Sequence, residues 1–239
     1  MNILCVIPAR GGSKRLPKKN LATVGGISLI ERSADVLNGI SEIKDILVSS
    51  DSDEIIEHAK NIDLMVPWIR PSELSNDEAK STDVVLHALD WYEENIMKVD
   101  AVLLLQPTSP FRKKSSIKKI IKILKDNHCD SVISVSLTHS HPQWAFRYPD
   151  KYLEPFIEGD GINTRSQDLD PAYVVNGNIY LIKKDVLKNN NSFYSDKTIP
   201  YIMNDKIESI DIDTSDDLEL ANYYVDSGMW SKRLKDEYK

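Results

Sequence analysis

Two groups of charged residues near opposite ends of the chain have the types and spacing to act together on an anion. Residues Pro8 to Leu21 carry Arg10, Lys14, Arg15, Lys18 and Lys19 and no acid, in a chain whose formal net charge is −7. Gly11 and Gly12 allow backbone N–H groups to approach phosphate oxygens, and the cations offset phosphate charge. Near the other end, Ile207–Asp213 reads as a strand. Side chains alternate along a strand, so Asp211 and Asp213 face one way, Cα atoms about 7 Å apart, while Ile210 and Ile212 face the core. Two adjacent carboxylates repel unless a cation lies between them, and hard oxygen ligands suit Mg²⁺. A metal of that kind bridges nucleotide phosphates to carboxylates, so the basic loop and the acidic pair predict one site for a metal-bound polyphosphate. Taken alone, the loop also reads as a solvated basic surface, and the pair as an amphipathic edge strand with Asp213 or Thr214 capping the next helix.

The elements that must position these groups alternate. Ile3–Ile7 is a short apolar run, read as a buried strand opening into the basic loop. A helical pattern (Leu29, Ile30, Ala34, Val36, Leu37) ends at Gly39, and Ile46–Val48 is the next strand, followed by Ser49, Ser50 and Asp51. Helices are expected over Glu54–Lys60, Asp83–Asn95 and Ser115–Asn127, with strands at Ala101–Leu105 and Ser131–Ser136. This order predicts an α/β fold, a mostly parallel sheet flanked by helices, whose ligands gather at the carboxyl ends of the strands. The third strand ends in Gln106-Pro107-Thr108-Ser109-Pro110-Phe111-Arg112, a stiff loop presenting Gln106 and Thr108. Residues 137–171 break the pattern with prolines and the aromatics Trp144, Phe146, Tyr148 and Tyr152. They read as a small lobe inserted in a single domain, residues 1–239, and exposed aromatics there point to a subunit interface. Strand-like Tyr173–Ile182 and a helix over Asp216–Asp226 complete the order.

At 239 residues, with 41% hydrophobic and 28% charged content, the chain can bury one full core. Its acidic balance argues against nucleic acid as partner. Two cysteines, Cys5 and Cys129, read as buried thiols of a reducing compartment. With neither a leader-like start nor a membrane-length apolar run, a cytoplasmic location is expected. His139 and His141 share an H-x-H spacing, but the loop supplies no third zinc ligand.

Taken together, Ile7-Pro8-Ala9-Arg10-Gly11-Gly12-Ser13-Lys14 with Lys19-Asn20, Arg70-Pro71 with Ala79-Lys80-Ser81, Leu105-Gln106-Pro107-Thr108-Ser109-Pro110, Arg165 with Asn176-Gly177, and Ser209-Ile210-Asp211-Ile212-Asp213 resemble the acylneuraminate cytidylyltransferases, or CMP-sialic acid synthetases, and their relatives acting on bacterial nonulosonic acids. The resemblance implies a nucleotide-diphospho-sugar-transferase-like fold with a dimerisation lobe, a homodimer, and a requirement for CTP, Mg²⁺ and a 2-keto-3-deoxy sugar acid. It implies that Arg10 and Lys19 hold the triphosphate within the loop formed by Ala9, Gly11, Gly12 and Ser13. Asn20, Arg70 and Ser81 would contact the cytidine, Gln106 and Thr108 would face the sugar, and Arg165 and Asn176 would lie near the substrates. Asp211 and Asp213 would bind metal, Asp211 doubling as acceptor of the hydroxyl proton. Legionaminic, pseudaminic and Kdo-type acceptors are alternatives to N-acetylneuraminate, and a degenerate nucleotide-binding module is the alternative outside enzymes. The absence of G-x-G-x-x-G after the first strand and of G-x-x-x-x-G-K-[ST] anywhere disfavours a dehydrogenase and a P-loop NTPase.

Overall fold

The computed structural model describes residues 1–236. In chain order its elements are strand β1 (Ile3–Pro8), a two-residue hairpin β2–β3 (Thr23–Val24, Ile27–Ser28), helix α1 (Leu29–Asp35), β4 (Ile43–Ser49), α2 (Asp53–Asn61), α3 (Ser81–Asn95) and β5 (Ala101–Leu104). There follow α4 (Lys114–Asp126), β6 (Ser131–Leu137), a second short hairpin β7–β8 (Phe146–Arg147, Glu154–Pro155), β9 (Tyr173–Lys183), α5 (Lys184–Asn190), β10 (Thr198–Ile202), α6 (Ser215–Asp226) and α7 (Met229–Asp236).

The main sheet has the order β10-β6-β9-β5-β1-β4. All pairs are parallel except those of β9, which runs antiparallel to both β5 and β6. The sheet is therefore mostly parallel with one reversed strand inside it. Alternation explains its two packed faces. Ile3, Cys5 and Ile7 face Ile30, Ala34, Ile117 and Ile120 on one side, and Leu4 and Val6 face Val85, Leu89 and Tyr92 on the other. A separate apolar cluster joins Val24, Leu29, Phe111, Ile212, Ala221 and Trp230, tying α6 and α7 to the loop after β5.

The stretch Ile207–Asp213, expected as a strand, is a turn followed by residues without regular structure. Its backbone is held at single points: the Asn178 side-chain amide donates to Glu208 O, and Ile212 N donates to Thr108 O at 2.7 Å. Burial of Ile212, which stabilises by about 2 kcal/mol, anchors the segment, so Asp211 and Asp213 still flank an inward-pointing residue. The sheet edge beside β6 is formed by β10, paired in parallel with it. Between β6 and β9 lie the short β7–β8 hairpin and 3₁₀ turns at Pro142–Trp144, Asp160–Asn163 and Ser166–Asp168. Phe146, Tyr148 and Tyr152 there are exposed, whereas Trp144 is half-buried against His141.

Candidate active site

Strands β1, β4 and β5 run parallel, so their carboxyl ends open on one side, where a cleft of about 540 Å³ lies. Its lining includes Arg10, Ser13, Lys19, Asn20, Arg70, Ser81, Gln106, Thr108, Asp211 and Asp213, ten of the residues singled out in the sequence. The chain's two charged groups meet directly. Lys19 Nζ lies 2.9 Å from Asp213 Oδ1, across 194 residues of sequence, and Arg15 lies 2.8 Å from Asp213 Oδ2. Lys18, in the left-handed region at φ 56°, turns the chain into the 3₁₀ turn that carries Lys19 into the cleft.

The basic loop is wired to its surroundings rather than free. Ala9 is buried, its N–H donating to Ser49 O, and Gly11 N–H donates to Asp51 Oδ1 at 2.8 Å. The Gly11 amide is thus committed to the end of β4 instead of facing the cleft, and a Cβ at Gly11 would stand 2.9 Å from Ser52 Cβ. At Gly12 a Cβ would meet no protein atom within 4 Å, so packing makes no demand for glycine there. Asn20 is buried and donates its amide to Arg10 O at 2.8 Å, closing the loop. Arg70 is nearly buried, donating to Ser49 Oγ at 3.0 Å, to Ser49 O and to Leu74 O. Burial pulls its guanidinium down to about 10, against the attraction of Asp51.

Asp211 lines the cleft at its solvent face, yet enough protein surrounds the carboxyl for desolvation to raise its pKa. The Thr108 hydroxyl hydrogen-bonds it and opposes the shift, and the neighbouring Asp213 adds to it. Asp211 therefore holds a proton more readily than an ordinary carboxylate. Thr214 caps α6 in a capping box with Asp217, which leaves Asp213 to the cations.

Five expected residues stand apart from the cleft lining: Ala9, Gly11 and Gly12 of the basic loop, and Arg165 and Asn176. Arg165 is exposed in the lobe and paired with Asp168 at 2.7 Å. Asn176 is spent on structure: its Oδ1 accepts from Ser134 Oγ and Asn178 N, and its amide donates to Ser136 Oγ and Met203 Sδ. Conversely, sequence reasoning passed over Arg112. It is fully enclosed and donates to Asn178 O (2.9 Å), Ser33 Oγ (3.0 Å), Ser109 O (2.7 Å) and Gln106 O. It also passed over Asp77, which contacts both Arg10 and Lys14 from the loop before α3. Neither signal was available: one reads as turn chemistry, the other as one more polar loop residue.

The family model for cytidylyltransferases matches residues 4–233. The chain belongs to that family. This cytidylyltransferase is 38% identical over 230 residues to a CMP-N,N'-diacetyllegionaminic acid synthase of Legionella pneumophila, a match covering 92% of the chain and 95% of the relative. It is 34% identical over 243 residues to an N-acylneuraminate cytidylyltransferase of Streptococcus agalactiae, spanning all of this chain and 57% of that one. Among solved structures, a CMP:2-keto-3-deoxy-manno-octonic acid synthetase complexed with CTP superposes with TM-score 0.69 at 16% identity, over 95% of this chain and 99% of the other. That likeness establishes the fold: a nucleotidyltransferase-type α/β sheet.

Proposed function

We propose that this cytidylyltransferase transfers the cytidylyl group of CTP to the anomeric hydroxyl of a nonulosonic acid, giving the CMP-sugar and pyrophosphate. The observation that carries the proposal is the meeting of Lys19 with Asp213 in one cleft, beside Arg10 and Asp211. The acceptor oxygen attacks the α-phosphorus in line, a new P–O bond forms, and the bond to the bridging oxygen of the β-phosphate breaks. Arg10 and Lys19 offset the repulsion between triphosphate and acceptor carboxylate and the charge that builds on the leaving pyrophosphate. Asp211 accepts the hydroxyl proton. Gln106 and Thr108, on the loop after β5, face the acceptor.

Asp211 and Asp213 would hold Mg²⁺, Asp213 giving up a contact with Lys19 or Arg15 to do so. Among the described residues no cluster of three or more His, Cys, Asp or Glu could form a protein-only metal cage. Two carboxylates suffice for a cation that keeps water and phosphate oxygens as its other ligands. When bound, such an ion supplies charge to the phosphates and orients them.

The named relatives favour a legionaminic- or sialic-type acceptor. A homodimer through the lobe is part of the proposal: Tyr148, Tyr152, Leu153 and Phe156 present apolar side chains there, and Leu137, Tyr173 and Val174 do so at the ends of β6 and β9. In that assembly Arg165 and its neighbours serve the partner's acceptor. The buried free thiols Cys5 and Cys129 support a cytoplasmic location, and no helix among the described residues is long and apolar enough to cross a membrane.

The test is pyrophosphate release over a panel of sialic, legionaminic, pseudaminic and Kdo-type keto acids with CTP, UTP or ATP. Release that requires CTP and one of the nonulosonic acids is expected. Equal use of all three nucleotides would overturn the assignment of Asn20, Arg70 and Ser81 to the cytidine, and CTP binding without release would leave a nucleotide-binding module.

A further inference from the structure

The cations of the basic loop already have anionic partners. Asp77 Oδ1 lies 2.9 Å from Arg10 and its Oδ2 lies 2.5 Å from Lys14, so both carboxylate oxygens are engaged by residues of the proposed phosphate loop. Arg10 also donates to Asn76 O at 3.4 Å, and the turn that carries Asp77 has further bonds of its own. Asn76 Oδ1 accepts from the N–H groups of Glu78 and Ala79 at 2.9 Å each, Asn76 Nδ2 donates to Glu73 O, and Ser75 Oγ donates to Pro71 O. Arg70 closes the base of the turn through Leu74 O. The scaffold therefore fixes where Asp77 stands, and its carboxylate reaches from there into the cleft lining beside Arg10 and Lys14.

We infer that Asp77 is a further residue of the reaction cycle, a carboxylate that stands on Arg10 and Lys14 where phosphate oxygens bind, so that nucleotide entry and pyrophosphate exit exchange one anion for another. The inference rests on the reading of the cleft as a CTP site. One carboxylate offers a single charge and two oxygens. A di- or triphosphate offers more of both and displaces it, whereas a singly charged anion gains little. Asp77 thus sets a threshold that favours polyphosphates, and by reoccupying the cations it shortens the stay of pyrophosphate. The exposure of the groups suits such an exchange: the Asp77 side chain is 52% exposed, that of Arg10 39% and that of Lys14 78%, so the pair is weak and screened by salt. The Lys19–Asp213 contact, with exposures of 16% and 33%, is the more enclosed counterpart deeper in the cleft.

Calorimetric titration of the full chain with inorganic pyrophosphate and with CTP tests the inference, comparing wild type with Asp77→Asn, and with Asp77→Ser should the first variant not fold. Removing the competing charge is expected to tighten pyrophosphate binding about three- to fivefold at low salt. The gain should shrink at roughly 0.5 M salt, where the screening length falls to a few ångströms. Pyrophosphate inhibition of turnover should strengthen by the same factor. Equal or weaker pyrophosphate binding by the variant, with CTP binding by the wild type intact, overturns the inference and makes Asp77 an orienting partner of Arg10 or a bystander. Failure of the wild type to bind CTP overturns the nucleotide reading itself, and this inference with it.

Discussion

Replacing Arg112 by Met keeps the hydrocarbon stem and removes all five N–H donors from a site with no access to water. In the structure those donors reach Asn178 O, Ser33 Oγ, Ser109 O and Gln106 O, so Arg112 joins β9, α1 and both ends of the loop presenting Gln106 and Thr108. Burial draws the guanidinium down to about 9. The nearby Cys5 thiol is pushed far up by burial and stays neutral, so the charges that offset this cost are those of Asp211 and Glu208. A hydrogen bond to a charged group contributes about 1.5–3 kcal/mol, and a buried acceptor stripped of its donor costs about 1–3 kcal/mol. Asn178 O and Ser109 O lose this donor at once, and Gln106 O keeps only the Ser109 N–H. Because such effects are not additive, the loss is set at about 3–5 kcal/mol, the range for breaking a buried charged contact. A domain of this size is stable by about 5–15 kcal/mol. At roughly 2–4 °C per kcal/mol, the melting temperature should fall by about 6 °C or more. Urea titration and thermal melts measure this directly. At a temperature where the variant remains folded, KM for the acceptor should rise more than KM for CTP, because the released loop carries Gln106 and Thr108. Stability within about 1 kcal/mol of wild type would refute the reasoning, since surface substitutions already span about half that.

Further outcomes follow from other contacts. Asp51→Ala strands the Gly11 N–H and should raise KM for CTP about tenfold, the equivalent of roughly 1.4 kcal/mol, while Asp51→Asn keeps an acceptor and should do less; steady-state kinetics checks both. Gly177 has φ +73°, and a Cβ there would stand 2.8 Å from Gln106 Oε1, so Gly177→Ala should cost about 1–3 kcal/mol in stability and raise KM for the acceptor. Asp211 has a raised pKa in the folded state, so the folded chain binds this proton more tightly than the unfolded one. Its ionisation therefore costs stability as pH rises from the ordinary carboxylate range through the raised value. Asp211→Asn should match wild type in melting temperature in acid, exceed it at neutral pH, and lose about a hundredfold or more in turnover, about 3 kcal/mol of barrier; paired melts across pH in chelator, with rates in Mg²⁺, test this.

The parts of the fold written in local pattern were legible in the sequence. The five-residue apolar run, the helical stripe of Ile117, Ile120, Ile121 and Leu124, and the order of alternating elements specify a mostly parallel sheet, because burial on both faces demands continuous apolar strands. The direction of β9 was not legible, since alternation carries no polarity. Strand β10 was missed because Pro200 interrupts a short run, which an edge strand tolerates and a central one does not. The Asp-Ile-Asp alternation mimicked a strand although only Ile212 makes the ladder-like bond, to Thr108 O. In the cleft, charge pattern was enough to single out Arg10, Lys19, Asp211 and Asp213, which the fold brings into one lining. The commitment of Gly11, Asn20 and Asn176 to internal hydrogen bonds depends on partners remote in sequence and could be learned only from the folded chain.

A crystal structure of the chain with CTP and Mg²⁺ tests the central claim most directly. The account predicts the triphosphate lying between Arg10 and Lys19, with a metal ion joining its oxygens to Asp211 and Asp213. A triphosphate bound out of reach of either Lys19 or Asp211 would contradict it.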